Sequence, residues 1–172
     1  TAHKMEYDGN TTIAKAFKDV VLTDASSRIT ADYMDYNRTT EIATGIGKVE
    51  VKTPTQQISS EKMIYERLTG NIIVNDTYKT IGSDGTLVEG RNVVYNVKSK
   101  SANFGSEVFI TNKDYTIYSR KMTTNDLTGI TTFRDYSKIT RRNDPSQYII
   151  TSDDDFNKKT EEVSNEENII GN

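Results

Sequence analysis

One tyrosine recurs at a fixed interval, and that interval constrains what the chain can fold into. Tyr7, Tyr36, Tyr65 and Tyr95 are 29, 29 and 30 residues apart, the first three closing a Met-x-Tyr pattern. A fifth copy keeps Lys121-Met122 but has Thr124 in the tyrosine slot, and a sixth has Phe156 there. Other columns keep step. Ile29, Ile58, Val88 and Ile117 each precede the slot by seven residues. Leu22, Val51, Thr80, Ile110 and Ile139 form a second column, and Val20, Val49, Tyr78 and Val108 a third. Leu68-Thr69-Gly70 returns as Leu127-Thr128-Gly129. The chain is therefore about six copies of one supersecondary unit, each burying its apolar face against the next.

Within a unit the apolar period is two, as in Lys48–Val51, Ser106–Ile110 and Arg28–Ala31, which is the alternation of half-buried strands. Turn residues fall twice per unit. One set follows the tyrosine slot, at Asp8, Asn37, Glu66 and Thr124; the other lies between, at Thr23, Thr53, Gly82, Asn112 and Arg142. Both are rich in Asn, Asp, Gly and Ser, which tolerate left-handed backbone or bond their own main chain. The apolar phase also slips inside a strand: Ile29 and Ala31 are odd, Met34 and Tyr36 even. A bulge near Asp32-Tyr33 would reset the pleat and bend the strand. The expected fold is all-β: an elongated, open β-jellyroll of stacked V-shaped antiparallel hairpins with a repeat of about 29 residues, apolar on the inside of the V. A right-handed parallel β-helix is the competing architecture, but no stacked Asn or Gly column of that kind is present.

Composition closes other routes. Only 34% of residues are hydrophobic and mean hydropathy is −0.67, yet ten tyrosines and many β-branched residues favour sheet over disorder. Without cysteine there is neither disulfide nor thiolate chemistry. His3, beside the terminus, is the one histidine, so a catalytic triad or histidine metal site has no basis. Asp153-Asp154-Asp155 lacks the spacing and glycine of a calcium loop and reads as a solvated charge run. Arg141, Arg142 and Lys138 could meet lipid phosphates, though a surface turn explains them as well. No cofactor, metal or nucleic-acid partner is expected, the net charge being −3. That charge is uneven: Ser152–Asn172 carries −5, leaving +2 for the rest. The division expected is a roll over 1–152 and an acidic, disordered tail over 153–172, with a capping strand near Asn168–Ile170 as the alternative for its end. No apolar run approaches the roughly 18 residues of a membrane span. A start at Thr1 is what a processed or trimmed chain would show.

The pattern Ile29-x-Ala31-Asp32-x-Met34-x-Tyr36, followed by Gly47-x-Val49-x-Val51, resembles the OstA-like (LptA) family of lipopolysaccharide export. Members include LptA, LptC and the periplasmic amino-terminal domain of LptD. The resemblance covers roughly Lys4–Ile150 and weakens late, where Ala31-Asp32 becomes Ser60-Glu61, Gly90-Arg91 and Ser119-Arg120. It implies a β-jellyroll in the periplasm, between the inner and outer membranes, whose apolar interior holds lipopolysaccharide acyl chains. It also implies partners: LptC-like and LptD-like rolls, joined by edge-strand addition, or head-to-tail copies of the chain itself. The matching interior columns are Val20, Leu22, Ile29, Met34 and Tyr36, then Val49, Val51, Ile58, Met63 and Tyr65. Val88, Val93 and Tyr95 continue them, followed by Val108, Ile110, Ile117 and Met122.

The physics of such a trough stands beside the family. Each buried acyl methylene is worth roughly 0.8 kcal/mol. Methionine adapts to irregular chains, and tyrosine can bury its ring while its hydroxyl reaches water. The same columns would equally serve a structural or adhesive domain with a closed core. A carbohydrate-active β-helix enzyme is a third possibility, although no acidic pair stands in an apolar column.

Overall fold

The computed structural model describes residues 1–23, 28–146 and 148–150, together with the backbone of 151, 155–157, 162–164 and 169–171. Strands follow one another with no helix among these residues. They are β1 (Lys4–Asp8), β2 (Ile13–Thr23), β3 (Arg28–Asn37), β4 (Ile42–Lys52), β5 (Gln56–Glu66) and β6 (Asn71–Gly82). Next come β7 (Leu87–Asn96), β8 (Ser101–Phe104), β9 (Val108–Thr111), β10 (Tyr115–Asn125) and β11 (Ile130–Arg141). Last are β12 (Tyr148–Thr151), β13 (Asp155–Asn157), β14 (Glu162–Ser164) and β15 (Ile169–Gly171). Every pairing is antiparallel and all lie in one sheet, β8 and β9 sharing the place between β7 and β10 and β15 pairing with β12, which excludes the parallel β-helix. Among the described residues β1 pairs only with β2, β14 only with β13 and β15 only with β12, so the sheet does not close into a barrel.

Both turn sets are built by the side chains the sequence supplies. Asn37, Asn96 and Asn125 each accept two backbone N–H bonds, two and three residues on. With the turns that begin at Asp8 and Glu66, they make five turns on this side, each closing on a left-handed residue: Thr12, Glu41, Gly70, Lys100 and Gly129, with φ of 56°, 55°, 79°, 50° and 75°. The spacing is again one repeat, although only two of the five are glycine. On the other side Asn112 Oδ1 accepts from the N–H groups of Asp114 and Tyr115, and Asp84 Oδ1 from that of Thr86.

The bend lies where the apolar phase slips. Register shifts between Thr30 and Tyr33 in the β3–β4 pair, and at matching places in β2–β3, β4–β5, β5–β6, β6–β7 and β10–β11. Left-handed residues mark the bend: Lys18 and Asp19 in β2, Gly47 and Lys48 in β4, Asp135 in β11. Gly47 is required twice over. Its φ is +75°, and a Cβ there would stand 2.6 Å from Asp32 Oδ2, so the Ala31-Asp32 and Gly47 elements of the sequence pattern meet at the corner. Between β8 and β9 the corner becomes a break at residues 105–107. Each long strand thus has a tyrosine arm, ending at the Asn37-type turns, and an isoleucine arm, ending at the Thr53-type turns. The core lies between the arms, with Val20, Val49, Val108 and Phe133 almost fully buried.

Beyond Thr151, β13 and β14 continue the tyrosine arm, and β15 extends the isoleucine arm next to β12. Of the acidic tail expected over 153–172, residues 153–154, 158–161, 165–168 and 172 lie outside the described ones.

A candidate apolar trough

Read across the sheet, the inward side chains form rows. The outermost row of the isoleucine arm runs Leu22, Ile29, Val51, Ile58, Thr80, Val88, Ile110, Ile117, Ile139, Ile149, each directly opposite the next. Two sequence columns have interleaved into one aliphatic ladder. The outermost row of the tyrosine arm runs Tyr7, Ala14, Tyr36, Ala43, Tyr65, Ile72, Tyr95, Ala102, then Thr124 and Thr131, with alanine beside each tyrosine and Ile72 alone filling a place between two of them. Tyrosines two strands apart stand roughly 9.5 Å from one another. The small residues leave notches between them.

Deeper in the tyrosine arm lies a second row: Met5, Ala16, Met34, Gly45 and Met63, then Val74, Val93, Phe104, Met122 and Phe133. Where this row is small, the interior keeps a gap of about 30 Å³, lined by Ile29, Met34, Ala43, Gly45, Val49, Val51, Met63, Tyr65 and Ile72. An apolar space of this kind admits hydrocarbon more readily than water. Toward β8–β11 the same row is filled by Phe104 and Phe133, 6% and 0% exposed. A larger hollow, about 990 Å³, lies over the outer face under charged groups such as Lys79, Glu89, Arg91 and Glu107. An acyl chain there would displace water from ions such as the Lys79–Glu89 pair, so the inner face is the better candidate.

Of the side chains expected inside, Val20, Met34, Val49, Val51, Ile58, Met63, Val93, Val108, Ile117 and Met122 are buried. Ile29, Tyr36, Tyr65, Val88, Tyr95 and Ile110 are half-buried at the rims. Leu22 is on the same ladder but 46% exposed near the end of β2. The tyrosine hydroxyls behave as amphipathic rim groups. Tyr36 reaches Arg67 on the next turn, itself 3.3 Å from Glu41. Tyr95 meets the Gln56 side chain from the opposite arm, joining the two rims between β5 and β7. Burial raises the Tyr95 pKa, the Asp126 charge adds to this, and the Gln56 bond offsets part of it.

Sequence columns did not reveal Ala14, Ala43 and Ala102 as notches, nor Gly45, Phe104 and Phe133 as the residues that set depth. A signal existed. Ala16, Gly45, Val74, Phe104 and Phe133 are spaced 29, 29, 30 and 29, but their size and type change at nearly every step.

The comparisons agree with this architecture. The family model for OstA-like protein matches residues 1–80. No curated protein matches the chain. Among solved structures, LptH from Pseudomonas aeruginosa, described as the LptA homologous periplasmic component of the conserved lipopolysaccharide transport device, is similar in fold. The TM-score is 0.56 at 21% identity, over 61% of this chain and 79% of that one. The amino-terminal 80 residues are therefore similar to OstA-like protein, and the fold is a β-jellyroll like that of the LptA homologue LptH.

Proposed function

We propose that this protein binds the acyl chains of lipopolysaccharide between its two arms and carries them through the periplasm toward the outer membrane, as part of a bridge of similar rolls. The observation that carries this reading is the pair of facing apolar rows on an unclosed sheet. One row is an aliphatic ladder; the other is a tyrosine rim notched by alanines above a residual apolar gap. Both the OstA-like match and the fold shared with a periplasmic transport component support it. The reading assigns no catalytic role to any side chain.

Bridge formation would use the sheet edges. β1 offers an unpaired edge on the described side of the roll, and its inner residues Met5 and Tyr7 are 71% and 55% exposed. A strand from an LptC-like or LptD-like roll, or from a second copy, would extend the ladder there. Light scattering coupled to size exclusion over a concentration series checks this; a strict monomer at high concentration, with no binding of either partner type, counts against it.

The lipid reading is tested by placing a photo-crosslinking residue at Met34 or Met63, with the exposed Lys79 as an outward control, and irradiating with purified lipopolysaccharide. Adducts are expected at the two methionine positions and not at Lys79. Absence of adducts at every inner position would leave a structural or adhesive roll with a dry core as the better account.

A further inference from the structure

All four methionines of the chain, Met5, Met34, Met63 and Met122, fall on the deep row of the tyrosine arm, and they sample it at β1, β3, β5 and β10. Their surroundings change along the way. Met5 is 71% exposed at the sheet edge, and Met34 and Met63 border the interior gap. Met122 is 1% exposed, with Phe104 and Phe133 directly opposite it on the two neighbouring strands. A methionine beside free volume can swing aside for a guest. One wedged between two rings cannot, because a close-packed interior has nowhere to put the displaced atoms.

The other side of the bend adds to the obstruction. The Tyr78 ring packs on Phe104, with centroids 5.9 Å apart, at the place where the small-floored part of the trough gives way to the aromatic-filled part. Gly90 makes room for that ring: a Cβ there would lie 2.9 Å from the Tyr78 hydroxyl oxygen. The hydroxyl has no hydrogen-bond partner in the protein, so the ring is held by packing. Farther on, Val108 and the Ser119–Ser137 pair, bonded at 2.7 Å, have no exposed surface. A detour along the mouth is closed as well. Gln56 meets Tyr95 across the rims, and Tyr115, in the Gln56 column two repeats on, is half-buried against the core at β10.

Building on the carrier reading, we infer that Phe104 and Phe133 form a stop, so that a bound acyl chain occupies the trough between β1 and β7 and does not pass β8–β11. The trough is then single-ended. Chains enter and leave on the β1 side, and a neighbouring roll that continues the trough docks there. In a bridge of rolls this chain is an end member, not a length of through-going channel.

The test uses the methionines themselves. The full chain is produced with photo-methionine, a diazirine analogue of nearly the same shape, and irradiated with purified lipopolysaccharide; lipid adducts are mapped by mass spectrometry. Adducts are expected at Met34 and Met63 and none at Met122, although all three share one row. Labelling of Met122 as strong as that of Met63 overturns the inference and leaves the carrier reading in place. No adduct at any of the four methionines overturns both. Phe104→Ala and Phe133→Ala, kept below their melting temperatures as read by circular dichroism, should bring adducts to Met122 while retaining those at Met63. Phe109→Ala, which removes an outward ring that is 51% exposed, should leave the wild-type pattern unchanged. Folded alanine variants that both leave Met122 unlabelled take the stop away from these two rings. Where neither variant folds, the wild-type pattern decides alone.

Discussion

The two ends of the trough share a backbone and differ in what fills it. In β2, β4 and β6 the deep row of the tyrosine arm carries Ala16, Gly45 and Val74; in β8 and β11 the equivalent places hold Phe104 and Phe133. The pairing is antiparallel in both regions, and bends recur through both. What differs is side-chain volume at one position per repeat. The rim follows: four tyrosines separated by Ala14, Ala43 and Ile72 run to Ala102 in β8, then Thr124 and Thr131 take over. Repetition of the backbone therefore specifies a roll, whereas the size of one inward residue per unit decides whether that roll has room inside. The region with room lies almost wholly within the residues that match the OstA-like model, since Gly45, Met63 and the gap fall within the first 80.

The sharpest way to break this contrast is at the filled end. Phe133→Ala removes a side chain with 0% exposure and should destabilise the protein by about 3–5 kcal/mol in urea unfolding; Met34→Ala, beside the gap, should fall nearer about 2 kcal/mol. Equal losses would mean the two ends are equally packed. The boundary between them has a pH signature. Burial raises the Tyr78 pKa above its usual 10.0, so below about pH 10 both folded and unfolded forms hold the proton and its contribution is intact. Above that, the unfolded chain ionises first, and stability should fall by up to about 1.4 kcal/mol per pH unit from this group until the folded pKa is reached. Tyr78→Phe should lose less stability than wild type between about pH 10 and 11; identical losses would mean the phenol is not perturbed. Next in size, Ser137→Ala removes the 2.7 Å bond to Ser119 and should cost about 1 kcal/mol, read from the urea midpoint. The smallest effect is expected at the open end. Gly45→Ala places a methyl 3.1 Å from Val49 Cγ1 and should change stability by less than about 1 kcal/mol while narrowing the gap. Weaker labelling of lipid from Met63 in that variant would tie the gap to binding.

Most of the architecture was legible because its causes are local. Alternation gave the strands, Asn and Gly gave the turns, and the shift from Ile29 and Ala31 to Met34 and Tyr36 located the bend that the β3–β4 register contains between Thr30 and Tyr33. The tyrosine slot and the isoleucine columns were found because their residue type persists. The depth-setting row was not, because Ala16, Gly45, Val74, Phe104 and Phe133 keep only their interval, and a period without a constant chemistry is invisible to a search by similarity. Tyr78 was found as a column member, yet nothing in its spacing shows that its hydroxyl lacks a partner; that follows from Gly90 and Phe104, which lie 12 and 26 residues away. The exposure of Leu22 follows from its place near the end of β2, which the pleat alone does not encode.

The near-constant step between left-handed turn residues, from Thr12 through Glu41 and Gly70 to Lys100 and Gly129, makes the molecule behave like a graduated rule. Every copy lengthens it by two strand widths, roughly 9.5 Å, and touches only the copies before and after. Span can thus be altered in whole increments by adding or deleting a module, without redesigning the cross-section.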